Sequence, residues 1–162
     1  MRRHTSCTTC RGFTLVEILI VVVILGVLAA IVVPQAANAA GNAAQTAFAR
    51  NVKQFSNAAM MHRSRTGFWI GDGGSGQLPD GLEDFVDEEY WENGTPIDGS
   101  WDSESRPDYD FTLGIGVHFQ DAEGQKDEAY MAVVDSILDD GDLTTGGFQQ
   151  VASDRFYFIV EN

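Results

Sequence analysis

Cysteine is scarce in this chain of 162 residues, which contains only Cys7 and Cys10. Both precede the long apolar run, so the C-terminal part can form no disulfide bond even in an oxidising compartment. Cys-Thr-Thr-Cys has the spacing of a redox or zinc motif, but one pair supplies only half of a tetrahedral zinc site. We interpret the pair as incidental to a short N-terminal leader.

Basic residues are scarce in the C-terminal part of the chain. After Gly67 only Arg106, Lys126 and Arg155 are basic, whereas Glu17 alone of the 24 acidic residues precedes this part. The net charge of -14 is therefore concentrated there. This composition argues against nucleic acid binding, which depends on lysine and arginine neutralising phosphates. It favours solubility and the binding of cations.

Residue combinations that carry catalysis are also missing. Gly-x-Ser-x-Gly is absent, and the glycine-rich loop at 71–76 lacks the Gly-Lys-Ser/Thr ending of a phosphate-binding loop. The three histidines, His4, His62 and His118, are far apart in the sequence. We therefore expect that the chain is not an enzyme. For His62 we expect a packed or half-exposed position rather than a metal site.

The chain does contain one long apolar run, from Ile18 to Val33. With the residues from Phe13 onward it reaches the ~20 residues that a helix needs to cross a bilayer. A single carboxylate, Glu17, stands at its start, and such a group is costly there unless it meets a partner. Arginines in the residues before the run favour a cytoplasmic leader.

The sequence Arg11-Gly12-Phe13-Thr14-Leu15-Val16-Glu17 resembles the class III signal of the type IV pilin and type II secretion pseudopilin family. The resemblance implies cleavage by a prepilin peptidase between Gly12 and Phe13, followed by N-methylation of Phe13. An ordinary secretory signal peptide is the alternative, since Ala37-Asn38-Ala39 satisfies its cleavage pattern. Against it stand the length of the apolar run and the presence of Glu17.

Three residues in or beside the run, Glu17, Gly26 and Pro34, are candidates for a role in assembly. The carboxylate of Glu17 can neutralise the new Phe13 amine of a neighbouring chain, because buried charges are tolerated only in pairs. Gly26 and Ala30 have the small-xxx-small spacing that permits close approach of helices. Pro34 removes one backbone hydrogen bond and is expected to kink or loosen the helix.

The predicted fold class is α+β, with one long N-terminal helix packed on a small antiparallel β-sheet. The helix is expected to continue to about Arg65, since Phe48, Val52, Phe55 and Ala59 form an apolar stripe. The predicted segments are a leader (1–12), a transmembrane and assembly helix (13–35), an amphipathic helix (36–66) and an acidic sheet domain (67–162). The tail resembles the larger pseudopilin-like proteins in this layout.

Within the acidic domain, the pattern predicts a short helix over 79–91 and a turn that enters a strand near Trp101. Further strands are predicted at 109–119, 129–134 and 155–160, joined as an antiparallel meander. Residues 135–140 are predicted to form one helical turn, closed by Gly141.

Four aspartates around Gly141 offer the oxygen ligands that calcium prefers. They do not match the twelve-residue spacing of an EF-hand, so a solvated loop is the alternative. The resemblance adds weight to calcium, because major pseudopilins commonly carry one in a C-terminal loop. The predicted ligands are Asp135, Asp139, Asp140 and Asp142.

The sequence thus predicts a structural subunit of a type II secretion pseudopilus, most like a major pseudopilin. The alternatives are a type IV pilus pilin and a single-pass membrane anchor for a calcium-binding domain. Implied partners are further copies of the chain, a prepilin peptidase, an inner-membrane platform protein and, indirectly, an assembly ATPase. The expected location is the inner membrane, with the acidic domain outside the cytoplasm.

Overall fold

The structure is a computed structural model that describes residues 13–105, 111–121 and 124–162. The predicted leader lies outside the described residues. The fold class is confirmed as α+β, with a long helix and a small antiparallel sheet. The elements are α1 (Leu15–Thr66), α2 (Glu88–Glu92), β1 (Ser100–Glu104), β2 (Leu113–His118), α3 (Glu128–Leu138), β3 (Phe148–Ala152) and β4 (Arg155–Glu161).

The chain divides into two compact units, one ending at Ala40 and the other starting at Gly41. The described part of the first unit is helical from Leu15, and the helix continues through Pro34. Its apolar stretch is long enough to cross a membrane, and none of that stretch is buried. The segment boundaries predicted from the sequence, at 35 and 66, remain predictions.

The second unit is built on the C-terminal half of α1. Phe48, Val52, Phe55 and Ala59 are all buried, which confirms the apolar stripe. Phe48 stacks on Trp101 of β1, with ring centroids 5.2 Å apart. This half of the helix therefore covers one face of the sheet and supplies much of the core.

The sheet is antiparallel throughout, in the order β1-β2-β4-β3. The predicted meander is wrong, because β2 pairs with β4 and not with the next strand in sequence. The strand β3 was missed, since its central residues Gln149 and Gln150 carry no apolar pattern. In the described part of the chain it lies at the edge of the sheet and pairs only with β4.

Two local predictions in this unit need correction. Residues 129–134 form part of helix α3 and not a strand. Asp127 caps that helix by accepting a hydrogen bond from the Tyr130 N–H, and Met131, Val134 and Leu138 are buried at helical spacing. The helix predicted over 79–91 is confined to α2. Glycine at 141 does follow α3, with a positive φ of 87°.

Candidate functional site

Helix α1 begins with a reciprocal cap made by Thr14 and Glu17. The Thr14 hydroxyl accepts a hydrogen bond from the Glu17 N–H at 3.2 Å. The Glu17 Oε2 accepts hydrogen bonds from the Thr14 N–H at 2.8 Å and the Thr14 hydroxyl at 2.9 Å. This is a capping box, in which two otherwise unpaired amides at a helix start are satisfied. Glu17 therefore has a structural role that sequence reasoning missed, although Thr-x-x-Glu was a readable signal.

The cap uses one of the two carboxylate oxygens. Among the described residues, the other oxygen of Glu17, Oε1, accepts no hydrogen bond. Phe13 precedes the helix and is exposed, while Gly12 lies outside the described residues. The structure thus leaves Phe13 and one oxygen of Glu17 accessible at the same end of the helix.

The apolar surface that follows has no cover in the described chain. Every large apolar side chain between Leu15 and Val33 is exposed, by 48% to 83%. A side chain of this size gains ~1.5 to 3 kcal/mol on leaving water, so this surface requires lipid or other protein around it. A Cβ at Gly26 would meet no atom within 4 Å. The predicted assembly roles of Gly26 and Pro34 therefore concern contacts outside the chain, and they remain predictions.

A second group of candidate residues lies where α3 ends. Oxygen atoms of Asp135, Asp139 and Asp140 all lie within 4.8 Å of one another. Asp135 is fully buried, and neither of its carboxylate oxygens makes a hydrogen bond of ordinary geometry. Burial first, and then the charges of Asp140 and Asp139, raise the pKa of Asp135 to about 6. The Gly141 N–H lies close enough to oppose this pKa shift in part.

The loop after α3 holds the two exposed aspartates of this group in place. Asp139 accepts a hydrogen bond from the Gly147 N–H. Asp140 accepts one from the Asp142 N–H at 2.9 Å and another from the Thr145 hydroxyl at 3.1 Å. We call Asp135, Asp139 and Asp140 the α3 carboxylate group. Its oxygen spacing suits a cation with ligand distances of 2.3 to 2.6 Å, as calcium has.

Asp142 lies outside the α3 carboxylate group, although it was predicted as a fourth ligand. Its Oδ1 accepts hydrogen bonds from the Thr144 hydroxyl at 2.6 Å and the Thr144 N–H at 3.0 Å. These hydrogen bonds lower the pKa of Asp142. The side chain is therefore engaged in closing the loop.

Comparison with known families gives one match, over residues 7–33, to the family described as the prokaryotic N-terminal methylation motif. This stretch carries that motif. The motif implies processing by a prepilin peptidase and assembly into pilin-type filaments, and it fits a membrane-anchored chain. No significant match was found among curated proteins or among solved structures.

The methylation motif covers the N-terminal region and leaves the acidic unit to be judged by its own geometry. There, sequence reasoning missed a buried polar network on the sheet. Asp102 accepts a hydrogen bond from the Tyr157 hydroxyl at 2.6 Å, and Arg155 lies 3.5 Å from Asp102 and 3.1 Å from Glu104. Burial raises the pKa of Asp102, opposed by Tyr157 and then Arg155. In β1, Asp102 and Glu104 alternate with Trp101 and Ser103, and this alternation was the signal available in the sequence.

His118, treated from sequence as isolated, joins three parts of the acidic unit. Its Nδ1 lies 2.6 Å from the Ser75 hydroxyl, and its Nε2 lies 3.2 Å from Asp154. With Nε2 donating to Asp154, Nδ1 accepts from Ser75. His118 thereby ties the glycine-rich loop and the turn between β3 and β4 to strand β2. His62 is half-buried, as expected, and its ring occupies the space where a side chain at Gly81 would lie.

Proposed function

We propose that this chain is the precursor of a filament subunit of a type II secretion pseudopilus. The observation that carries the proposal is the methylation motif over 7–33, whose residues from Leu15 onward form a helix with exposed apolar side chains. A prepilin peptidase cuts between Gly12 and Phe13, and Phe13 is then N-methylated. The chain acts by assembly, and we propose that it has no catalytic activity of its own.

Cleavage creates the charge that drives the assembly step. The new amino group of Phe13 is positive and lies at the edge of an apolar helix, where an unpaired charge is costly. Glu17 of a neighbouring subunit supplies the opposite charge through the oxygen that the capping box leaves available. The second oxygen stays on Thr14, so the carboxylate is held in a fixed direction while it binds. Pairing of these two groups sets the stagger between neighbouring helices.

Two features favour a pseudopilus over a type IV pilus, which is the second candidate. The sheet has four short strands, and no cysteine follows Cys10, so the acidic unit carries no C-terminal disulfide. A cytoplasmic ATPase supplies the work of assembly through an inner-membrane platform protein. Before assembly, the subunit is anchored in the inner membrane, with its acidic unit on the periplasmic side.

Mass spectrometry of protein extracted from membranes tests the processing step. The expected mass is that of a chain starting at methylated Phe13 and lacking Cys7 and Cys10. Ala39→Leu serves as a matched control, because it removes the small residue that an ordinary signal peptidase requires and leaves the Gly12-Phe13 junction intact. A mature chain starting near Ala40 in the wild type, and lost in Ala39→Leu, would contradict the proposal.

We further propose that the α3 carboxylate group binds calcium. The observation that carries this is Asp135, a fully buried carboxylate with no hydrogen bond of ordinary geometry on either oxygen. A buried charge of this kind is costly without a cation or a donor, and three carboxylates within 4.8 Å supply one half of a calcium shell. Backbone carbonyls of the loop and water can supply the other ligands.

The melting temperature of the full chain in detergent tests calcium binding. Calcium should raise it relative to EDTA, because a ligand that binds only the folded state stabilises that state. Asp135→Asn should abolish the rise. Asp142→Asn is the matched control, since the asparagine oxygen can still accept from Thr144, and its calcium response should be unchanged. Identical wild-type melting curves in calcium and EDTA would remove the metal from the proposal.

A further inference from the structure

The loop that follows α2 carries the sequence Asn93-Gly94-Thr95. Asn-x-Thr, with any residue except proline in the middle, is the acceptor sequence for N-linked glycosylation, and it is used on surface loops of proteins outside the cytoplasm. It occurs once in this sequence. Because so short a motif also arises by chance, the place of its residues in the fold decides whether it can be used.

The side chain of Asn93 is available to a modifying enzyme. It is exposed, and its carboxamide forms no hydrogen bond with a described residue. The end of α2 is closed by the backbone instead, since the Asn93 N–H donates to the Glu89 carbonyl at 3.0 Å and the Gly94 N–H donates to the Trp91 carbonyl at 3.2 Å. Gly94 has a positive φ of 85°, which explains the glycine at the helix end. The amide nitrogen of Asn93, Nδ2, therefore has no structural task in the helix end.

Thr95, the third residue of the motif, lies in a closed turn. Its N–H donates to the Gly99 carbonyl at 3.0 Å, and its hydroxyl donates to the Asp98 carbonyl. Its own carbonyl accepts a hydrogen bond from the Asp98 N–H at 3.2 Å. A hydroxyl has two acceptor lone pairs, so the Thr95 oxygen can still accept a hydrogen bond from an enzyme. The motif thus spans the end of a helix and the start of a surface turn.

Open space lies beside the Asn93 side chain. Asn93 lines a depression of about 390 Å³, and Gly94 and Gly99 leave bare backbone on its wall. A sugar attached to Nδ2 can lie in this depression and hydrogen-bond through its hydroxyls. The polar side chains that line the depression are Glu92, Asn93, Ser100, Gln120 and Asp121.

We propose that Asn93 is the acceptor of an N-linked glycan, with a lipid-diphosphate-linked oligosaccharide as the donor. An oligosaccharyltransferase joins Nδ2 to the anomeric carbon of the first sugar. The bond from that carbon to the diphosphate breaks, the lipid diphosphate leaves with the electron pair, and one Nδ2 proton passes to solvent. The inference rests on the proposed function in one respect, which is the placement of the acidic unit outside the cytoplasm.

Mass spectrometry of the full chain, purified from the membranes of its own cells, tests the modification. Trypsin releases residues 66–126 as one peptide, because proline follows Arg106 and prevents cleavage there. Asn93 is the only asparagine in this peptide, which should carry the mass of a glycan in the wild type. Asn57 is the internal control, since it is exposed and is followed by two alanines, and its peptide should be unmodified.

Three variants identify the motif as the cause. Asn93→Gln and Thr95→Val should both lose the added mass completely. Thr95→Ser should keep it, because serine also supplies the hydroxyl that the motif requires. A purely structural role of Thr95 in the turn would not produce this difference between serine and valine in glycan mass.

The outcomes separate this inference from the proposed function. An unmodified 66–126 peptide in the wild type, or one that shows only deamidation of Asn93, would overturn the inference and leave the filament subunit in place. Glycan mass that persists in Asn93→Gln would also overturn it, since the sugar would then be attached to another residue. A chain that carries the glycan on Asn93 and forms no filament would contradict the proposed function and uphold this inference.

Discussion

The two parts of helix α1 have the same backbone conformation, but their apolar side chains differ in exposure. Before Ala40, the large apolar side chains are exposed around the whole circumference of the helix. After Gly41, apolar residues keep to one face, and Phe48, Val52 and Ala59 are fully buried there. A helix that is apolar all round requires an apolar environment from outside the chain, whereas a striped helix covers the core of its own unit. The difference between the two parts shows that the first part needs lipid or other protein around it.

The largest effect is expected from removing Glu17, the one charged side chain in the first part of the helix. Glu17→Ala and Glu17→Gln should both be inserted and cleaved normally, because the apolar run and the Gly12-Phe13 junction are intact. Both should nearly abolish filament yield, since the Phe13 amine of the neighbour loses its partner. The measurement is the sheared filament yield at matched membrane levels.

The two Glu17 variants also separate assembly from capping. Glutamine at position 17 keeps an oxygen that can accept from Thr14, so the capping box survives in Glu17→Gln and is lost in Glu17→Ala. If Glu17→Gln assembles as the wild type does while Glu17→Ala fails, the cap and not the charge is what assembly needs. A wild-type yield from Glu17→Ala would remove the electrostatic mechanism.

The next effect sharpens the contrast between the two halves by truncating an apolar side chain in each. Phe48→Ala should lower the free energy of unfolding of the acidic unit by about 3 to 5 kcal/mol, because it leaves a cavity beside Trp101. Leu25→Ala should leave that free energy unchanged, since Leu25 is exposed in the first unit. Denaturant unfolding in detergent, followed by tryptophan fluorescence, measures both. Equal losses would show that the two halves share one core.

A smaller effect concerns the pH dependence of stability. Asp135 lies in the second unit, and the burial of its charged carboxylate is unfavourable. Its folded-state pKa of about 6 exceeds its ordinary value of 3.8, so the folded state keeps a proton that the unfolded state has lost. Without calcium, stability should therefore fall as pH rises from about 4 to about 6, by roughly 1 to 3 kcal/mol. Asp135→Asn should lack this loss. Chemical unfolding in EDTA across this pH range, for the wild type and the variant, makes the measurement.

The smallest expected effect tests whether helices approach each other closely in the first unit. A Cβ at position 26 meets no described atom within 4 Å, so Gly26→Leu should leave processing and the stability of the acidic unit unchanged. If neighbouring helices pack at Gly26, filament yield should drop by about threefold. Val27→Leu is the control beside it. An unchanged yield from Gly26→Leu would mean that this glycine faces lipid.

Elements that depend on neighbouring residues were predictable, and those that depend on distant residues were not. The apolar stripe of α1 could be predicted from the sequence because its residues lie three or four positions apart. Residues 129–134 were misread as a strand, since six mostly apolar residues fit either period, and the Asp127 cap decides for the helix. Strand β3 was missed because its pairing with β4, and not an apolar pattern, makes it a strand.

The candidate sites divide in the same way. The junction of Gly12 and Phe13 and the carboxylate of Glu17 are local features, so the order of residues is sufficient to find them. The four aspartates near Gly141 were found by composition, but composition could not tell which of them converge. Burial of Asp135 within α3, and the hydrogen bonds that Asp142 accepts from Thr144, set the α3 carboxylate group apart from the loop residue Asp142.

The sequence by itself determined the membrane-length run, its acidic start, the long helix and the acidic character of the rest, because each is a property of adjacent residues or of composition. Only the tertiary structure decided the strand order, the pairing of Asp102 with Tyr157 and the burial of Asp135. These depend on which distant segments meet in space, where burial removes water and makes each polar contact count.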